Sequence, residues 1–206
     1  MPRNRTITDE DILTVARSLF LKEGAKASTR TLAKMAGISE AIIFQRFCTK
    51  EDLFFAAMIP PEAQLEVIFN VQPGEKQVTA NLILVSLQIV NYFREMMPVF
   101  LALVSHPSFN MQTFLERHTL PGIQLGKKLT EYLNTEAQLG RIRKDNIAAV
   151  AGVLLSHLHN LALSENIGSQ RPIDTERAIS DAIAALWTGM APLVDMTLQD
   201  RSKLTL

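Results

Sequence analysis

The 206-residue sequence predicts an all-α protein, and three observations carry that prediction. Apolar residues recur at intervals of three and four, the spacing of one helix face, and no segment alternates as a half-buried strand does. Short polar residues stand where helices would begin (Ser28, Ser39, Asp174), and glycines where they would end (Gly24, Gly37, Gly140). The composition is 47% hydrophobic but only 6% aromatic, which suits helices packed through Leu, Ile, Val and Ala.

Each element follows from its own residues. A first helix over 9–23 carries Ile12, Leu13, Ala16, Leu19 and Phe20 as an inward stripe, and Gly24 closes it. Ser28 caps a second, short helix whose Leu32, Ala33 and Ala36 form a small apolar face ending at Gly37. Ile38 plugs the corner, and Ser39 caps a third helix in which Ile42, Ile43 and Phe47 recur at helical spacing. Lys50 opens a fourth helix, which runs to Met58 and is stopped by Ile59-Pro60-Pro61, because proline lacks a donor and disfavours helix before it. After a loop at 71–74, residues 78–93 form a helix with Leu82, Val85, Ile89 and Phe93 on one side. Pro98 starts or kinks the next helix, over 99–105, and His106-Pro107 ends it. Residues 109–118 make a short amphipathic helix broken by Pro121-Gly122, and 123–139 make a further one closed by Gly140. The last two helices, 145–166 and 175–193, are the most apolar.

Charge and composition bound the function. The net charge is zero, but residues 1–50 hold nine Lys or Arg against five Asp or Glu, and the rest hold twelve against sixteen. A basic head on an acidic body is the footprint of a nucleic-acid reader with a separate regulatory part. The longest apolar runs are too short or too interrupted to cross a bilayer, and the first residues lack an apolar signal core, so a cytoplasmic protein is expected. The single cysteine, Cys48, excludes an internal disulfide, and without a second thiol it reads as a small packing residue rather than a redox sensor. No Gly-rich phosphate loop, nucleophile elbow or metal spacing is present, so no enzyme, cofactor or metal is expected.

Two capped helices around a glycine turn are the build of a helix-turn-helix, whose second helix enters the DNA major groove. The ordered set Ile12-x3-Ala16-x2-Leu19-Phe20-x3-Gly24, Leu32-Ala33-x2-Ala36-Gly37-Ile38-Ser39 and Phe44-x2-Phe47-x2-Lys50-Glu51-x-Leu53 resembles the N-terminal domain of the TetR family of bacterial transcriptional repressors. The resemblance runs from about Asp9 to about Met58. It implies a DNA-binding domain at 1–55 and a ligand-binding and dimerisation domain at 56–206. It further implies a homodimer paired through its last two helices, a palindromic operator, and a small-molecule effector. Three positions depart from the family pattern: Ala25 replaces an aromatic, Phe44 replaces a tyrosine, and Arg46 stands where tyrosine or histidine is usual.

The expected DNA contacts are Arg30, which matches a DNA-touching family position, then Ser39, Glu40, Ala41, Ile42, Phe44, Gln45 and Arg46 on the third helix, and Lys50. Gln45 could pair with adenine, Ala41 or Ile42 could meet a thymine methyl, and Arg46 could restore a phosphate contact. Glu40 either accepts from cytosine or only favours its helix N-terminus. Arg3 and Arg5 form an arm that could reach phosphate or a minor groove, or only solubilise. A ligand pocket is expected between the middle helices. Its candidate residues are Asn91, Tyr92, Met97, Phe100, His106, Phe109, Phe114, His118, His157 and Trp187. The scarcity of clustered charge favours a fairly apolar ligand. The resulting expectation is a ligand-released homodimeric repressor; a helical adaptor that binds protein, or an enzyme, is the alternative.

Overall fold

The computed structural model of the chain describes residues 7–59, 62–166, 168 and 174–190. Among them there is no strand. The helices are α1 (Asp9–Glu23), α2 (Thr29–Ala36), α3 (Glu40–Phe47), α4 (Lys50–Met58), α5 (Glu62–Ile68), α6 (Val78–Val104), α7 (Met111–Arg117), α8 (Pro121–Gln138), α9 (Ile147–Asn166) and α10 (Thr175–Met190). Arg3, Arg5, Pro60, Pro61 and residues 191–193 of the last expected helix lie outside the described residues.

The first four helices begin on side-chain caps that satisfy otherwise orphaned backbone donors. Thr8 and Asp11 form a reciprocal box, with the Thr8 hydroxyl accepting from the Asp11 N–H at 3.1 Å and the Asp11 carboxylate accepting from the Thr8 N–H at 3.0 Å. Ser28, Ser39 and Thr49 cap α2, α3 and α4 in turn. Gly37 ends α2 at φ +69°, a left-handed geometry that costs glycine nothing, and its neighbour Ile38 donates back to the Ala33 carbonyl at 3.0 Å.

The chain divides into two compact units. One comprises the chain up to Gln64 together with Tyr92–Pro121; the other comprises Leu65–Asn91 and the chain from Gly122 onward. The first unit is therefore larger than the head at 1–55 that the sequence marks out. Its core is Ile12, Ala16, Leu19 and Phe20 of α1, Leu32 and Ala33 of α2, Ile43 of α3, and Leu53, Phe54 and Ala57 of α4. Phe20 and Phe54 meet edge to face at 5.1 Å.

The second unit buries Leu82, Val85 and Ile89 of α6, Leu125, Leu129 and Leu133 of α8, and Leu154, Leu158 and Ile183 of α9 and α10. Inside it sits a fully buried carboxylate, Glu136. It accepts from the Tyr132 hydroxyl at 2.8 Å and from the Gly74 N–H at 3.3 Å, and pairs with Arg141 at 3.2 Å. Arg141 also donates to the carbonyls of Glu75 and Lys76, so the end of α8 is tied to the loop before α6.

Three expectations need correction. α5 lies where no helix was expected, immediately after the double proline. Residues 78–104 form one helix and not two: α6 continues through Pro98. The proline is exposed while Met97, Val99 and Leu103 around it are buried, so packing offsets the backbone hydrogen bond it deletes. Lastly, α6 and α9 are each long and apolar enough to cross a bilayer by length and composition, although no unbroken apolar run in the sequence is. Apolar core helices meet the same measure, and α6 buries Asn81 and Ser86 among its apolar residues.

Candidate nucleic-acid interface

α3 is short, and its faces are sharply divided. Ile43 is fully buried against the other helices of the head, and Phe47 is half-buried behind it. Ala41, Phe44, Gln45 and Arg46 are exposed, and Ile42 is half-buried. Ser39 is exposed too, its hydroxyl accepting from the Ile42 N–H at 3.4 Å. An aromatic ring left 39% exposed beside a free amide side chain is unusual for a helix whose only task is packing.

The charged positions are arranged less simply than the sequence suggests. Arg30 and Glu40 approach each other at 3.8 Å, so Glu40 faces a cation across the helix-turn-helix as well as favouring its own helix N-terminus. The Arg46 guanidinium points back to α1: its Nη1 donates to the Asp9 carboxylate at 2.8 Å and to the Ile7 carbonyl at 3.0 Å. Arg46 thus braces the first helix against the third. Lys50 is half-buried at the first position of α4, directly after the Thr49 cap, where the helix N-terminus favours anions. Between α3 and α4 stands Cys48, exposed and at φ +57°.

The ten residues expected to bind a ligand fall in both units. Asn91, His157 and Trp187 belong to the second unit, where the His157 Nε2 is buried without a hydrogen-bond partner. Tyr92 and Met97 are buried in α6, Phe100 is exposed, and His106 stacks on Phe54 at 4.5 Å. Phe109, Phe114 and His118, however, share a cavity of about 680 Å³ within the first unit. The rest of its lining includes Leu13, Thr14 and Arg17 of α1 and Phe55 of α4. Thr14, Arg17 and Phe55 were missed because each reads as an ordinary helix residue, and Leu13 because it reads as part of the inward stripe of α1. The adjacent Phe54-Phe55 pair is the only hint, since one helix position cannot bury both rings.

Arg17 is half-buried. Its Nε donates to the Ala57 carbonyl at 2.7 Å and its Nη2 to the Ile59 carbonyl, which clasps α1 to the end of α4. Burial lowers the Arg17 pKa, and the nearby Tyr92 works in the opposite sense. The Tyr92 hydroxyl is buried with no hydrogen-bond partner.

Comparison with known proteins agrees with this geometry. Residues 12–57 match the family of bacterial regulatory proteins described as the tetR family. No curated protein sequence matches the chain. Among solved structures, the chain is similar to a protein of Mesorhizobium loti assigned to the TetR family of transcriptional regulators. The TM-score is 0.75 at 16% identity, covering 89% of this chain and 96% of that one. A TetR transcriptional regulator of Agrobacterium tumefaciens follows at TM-score 0.65 and 16% identity, covering 95% and 98%. A flavonoid-responsive regulator named FrrA stands at TM-score 0.64 and 20% identity, covering 90% and 98%. At such identities the likeness is one of fold, and it extends over nearly the whole of both chains.

Proposed function

Because the chain belongs to the tetR family of bacterial regulatory proteins through its domain at residues 12–57, we propose that this DNA-binding transcriptional regulator is a homodimeric repressor released from its operator by a small, fairly apolar molecule. The observation that carries the DNA-reading part is α3. It presents Ala41, Phe44 and Gln45 outward from a glycine turn with Ile43 anchored below, the arrangement of a helix that enters a groove. Gln45 is the candidate for adenine, Phe44 and Ala41 for thymine methyls, and Lys50 with Arg30 for phosphate.

One recognition helix reads only a half-site, so a second copy is needed for a palindromic operator. α9 supports pairing: Ala148, Ala149, Gly152 and Val153 are all exposed, Val153 to 58%, a surface of small and apolar residues suited to close approach of a partner helix. The fold shared with a flavonoid-responsive regulator supports a small effector as its release signal. A cytoplasmic location follows from the proposed target.

The test is binding of the purified chain to a duplex from its own upstream region and to a scrambled duplex, across a salt titration. Selective binding is expected, with affinity falling steeply with salt because phosphate contacts release counterions. Gln45→Ala should relax selectivity by roughly five- to a hundred-fold, the discrimination of one good bidentate contact of about 1–3 kcal/mol. Lys50→Ala should weaken both duplexes alike. Binding that ignores salt and sequence would leave a helical protein adaptor as the better reading.

A further inference from the structure

The cavity of the first unit differs from a pocket confined to regulatory helices, because two of its walls are helices of the DNA-binding head. Four rings run along one side in successive contact. Phe55 of α4 lies 6.2 Å from Phe109, Phe109 lies 5.7 Å from Phe114, and Phe114 lies 5.0 Å from His118. All four are only half-buried, so an aromatic cluster has assembled without closing on itself. Its volume of about 680 Å³ falls within the range of small-molecule sites.

The charges around the hollow select among ligands. Glu10 and Asp52 contribute carboxylates to the lining, and Arg17 is the one arginine. Arg17 is anchored by donating to the Ala57 and Ile59 carbonyls, and its single positive charge is outnumbered by the two carboxylates. The faces of the rings are themselves electron-rich and attract cations. We propose that this cavity is a binding site for a flat aromatic monocation, stacked on Phe55, Phe109 and Phe114 and balanced by Glu10 and Asp52. A ligand there touches the Arg17 clasp between α1 and α4 directly, so it acts on the DNA-binding head from within. This regulatory consequence rests on the proposed repressor function; the binding site itself does not.

Three probes with one ring system separate the charge classes: naphthylmethyl-trimethylammonium, naphthylmethanol and naphthaleneacetate. Calorimetric titration of the full chain should find the cation bound at least tenfold more tightly than the carboxylate, with the alcohol between. Phe109→Ala should weaken the cation by fivefold or more. Glu10→Gln, on an exposed side chain, should narrow the preference for cation over alcohol at least twofold while the far-ultraviolet circular dichroism stays unchanged. Tightest binding of the carboxylate, equal binding of all three, or affinities untouched by both variants would overturn the site. Operator binding is measured alongside, with and without the cation. Intact operator binding that the bound cation leaves unchanged would overturn the regulatory step alone. Absence of operator binding would count against the repressor reading while leaving the site standing.

Discussion

Arg46 shows how a single side chain can change its meaning between sequence and structure. From its place on the third helix it reads as a phosphate contact; folded, it donates to Asp9 and to the Ile7 carbonyl, and so ties α3 to the start of α1. The pair is largely exposed on the Asp9 side, so its strength is modest. Asp9→Ala and Arg46→Ala should each cost about 0.3–1 kcal/mol, and the double variant should cost clearly less than the two together. Urea denaturation of the four proteins measures this. Full additivity would mean that the two side chains do not cooperate in solution, and that Arg46 is available to the DNA. Residues such as Gln45, by contrast, were legible from sequence alone, because their exposure follows directly from the burial of Ile43 one face away.

Elements were legible wherever a local signal marked their ends. Ser28, Ser39, Gly24 and Gly37 each stand at a helix boundary because each solves a backbone problem there that no distant residue can alter. Pro98 misled for the opposite reason: whether a proline ends a helix depends on the packing of Met97, Val99 and Leu103, which a single sequence does not display. α5 was missed because seven residues after a double proline are too few for a periodic pattern to register. The cavity was half legible. Phe109, Phe114 and His118 announce themselves as chemistry, whereas Leu13, Thr14 and Arg17 join them only through tertiary packing. Glu136 likewise looks like a solvated helix residue until Tyr132, Gly74 and Arg141 close around it. Glu136→Gln keeps the shape but removes the charge facing Arg141, and should cost about 1.5–3 kcal/mol. An unfolding free energy, measured by denaturant titration, that falls by less than a third of that would show the ion pair to be dispensable.

At the scale of the molecule, two buried phenols shape its response to alkaline pH. Tyr92 and Tyr132 are the only tyrosines, and burial pushes both well above the ordinary value of about 10; for Tyr132 its hydrogen bond to Glu136 pushes further in the same direction. The folded chain therefore holds these protons more tightly than the unfolded chain does. Their contribution to stability is complete below about pH 10 and is lost progressively as pH rises above it. In an alkaline titration, phenolate absorbance should stay flat until the helical circular dichroism collapses, and then rise together with that collapse. Ionisation of both tyrosines near pH 10 with the helices intact would contradict their burial. The uneven charge along the chain acts over the same length scale: the positive excess in residues 1–50 favours contact with a polyanion there, and the negative excess in the remainder disfavours it.

Cys48 has one further use. It is the only thiol in the chain, it is exposed, and it sits one residue past the end of α3. A nitroxide or a fluorophore can therefore be attached at the edge of the reading helix without altering any other side chain. In the proposed two-fold assembly the two labels form a ruler, and the distance between them reports how far apart the two third helices stand with and without the proposed effector.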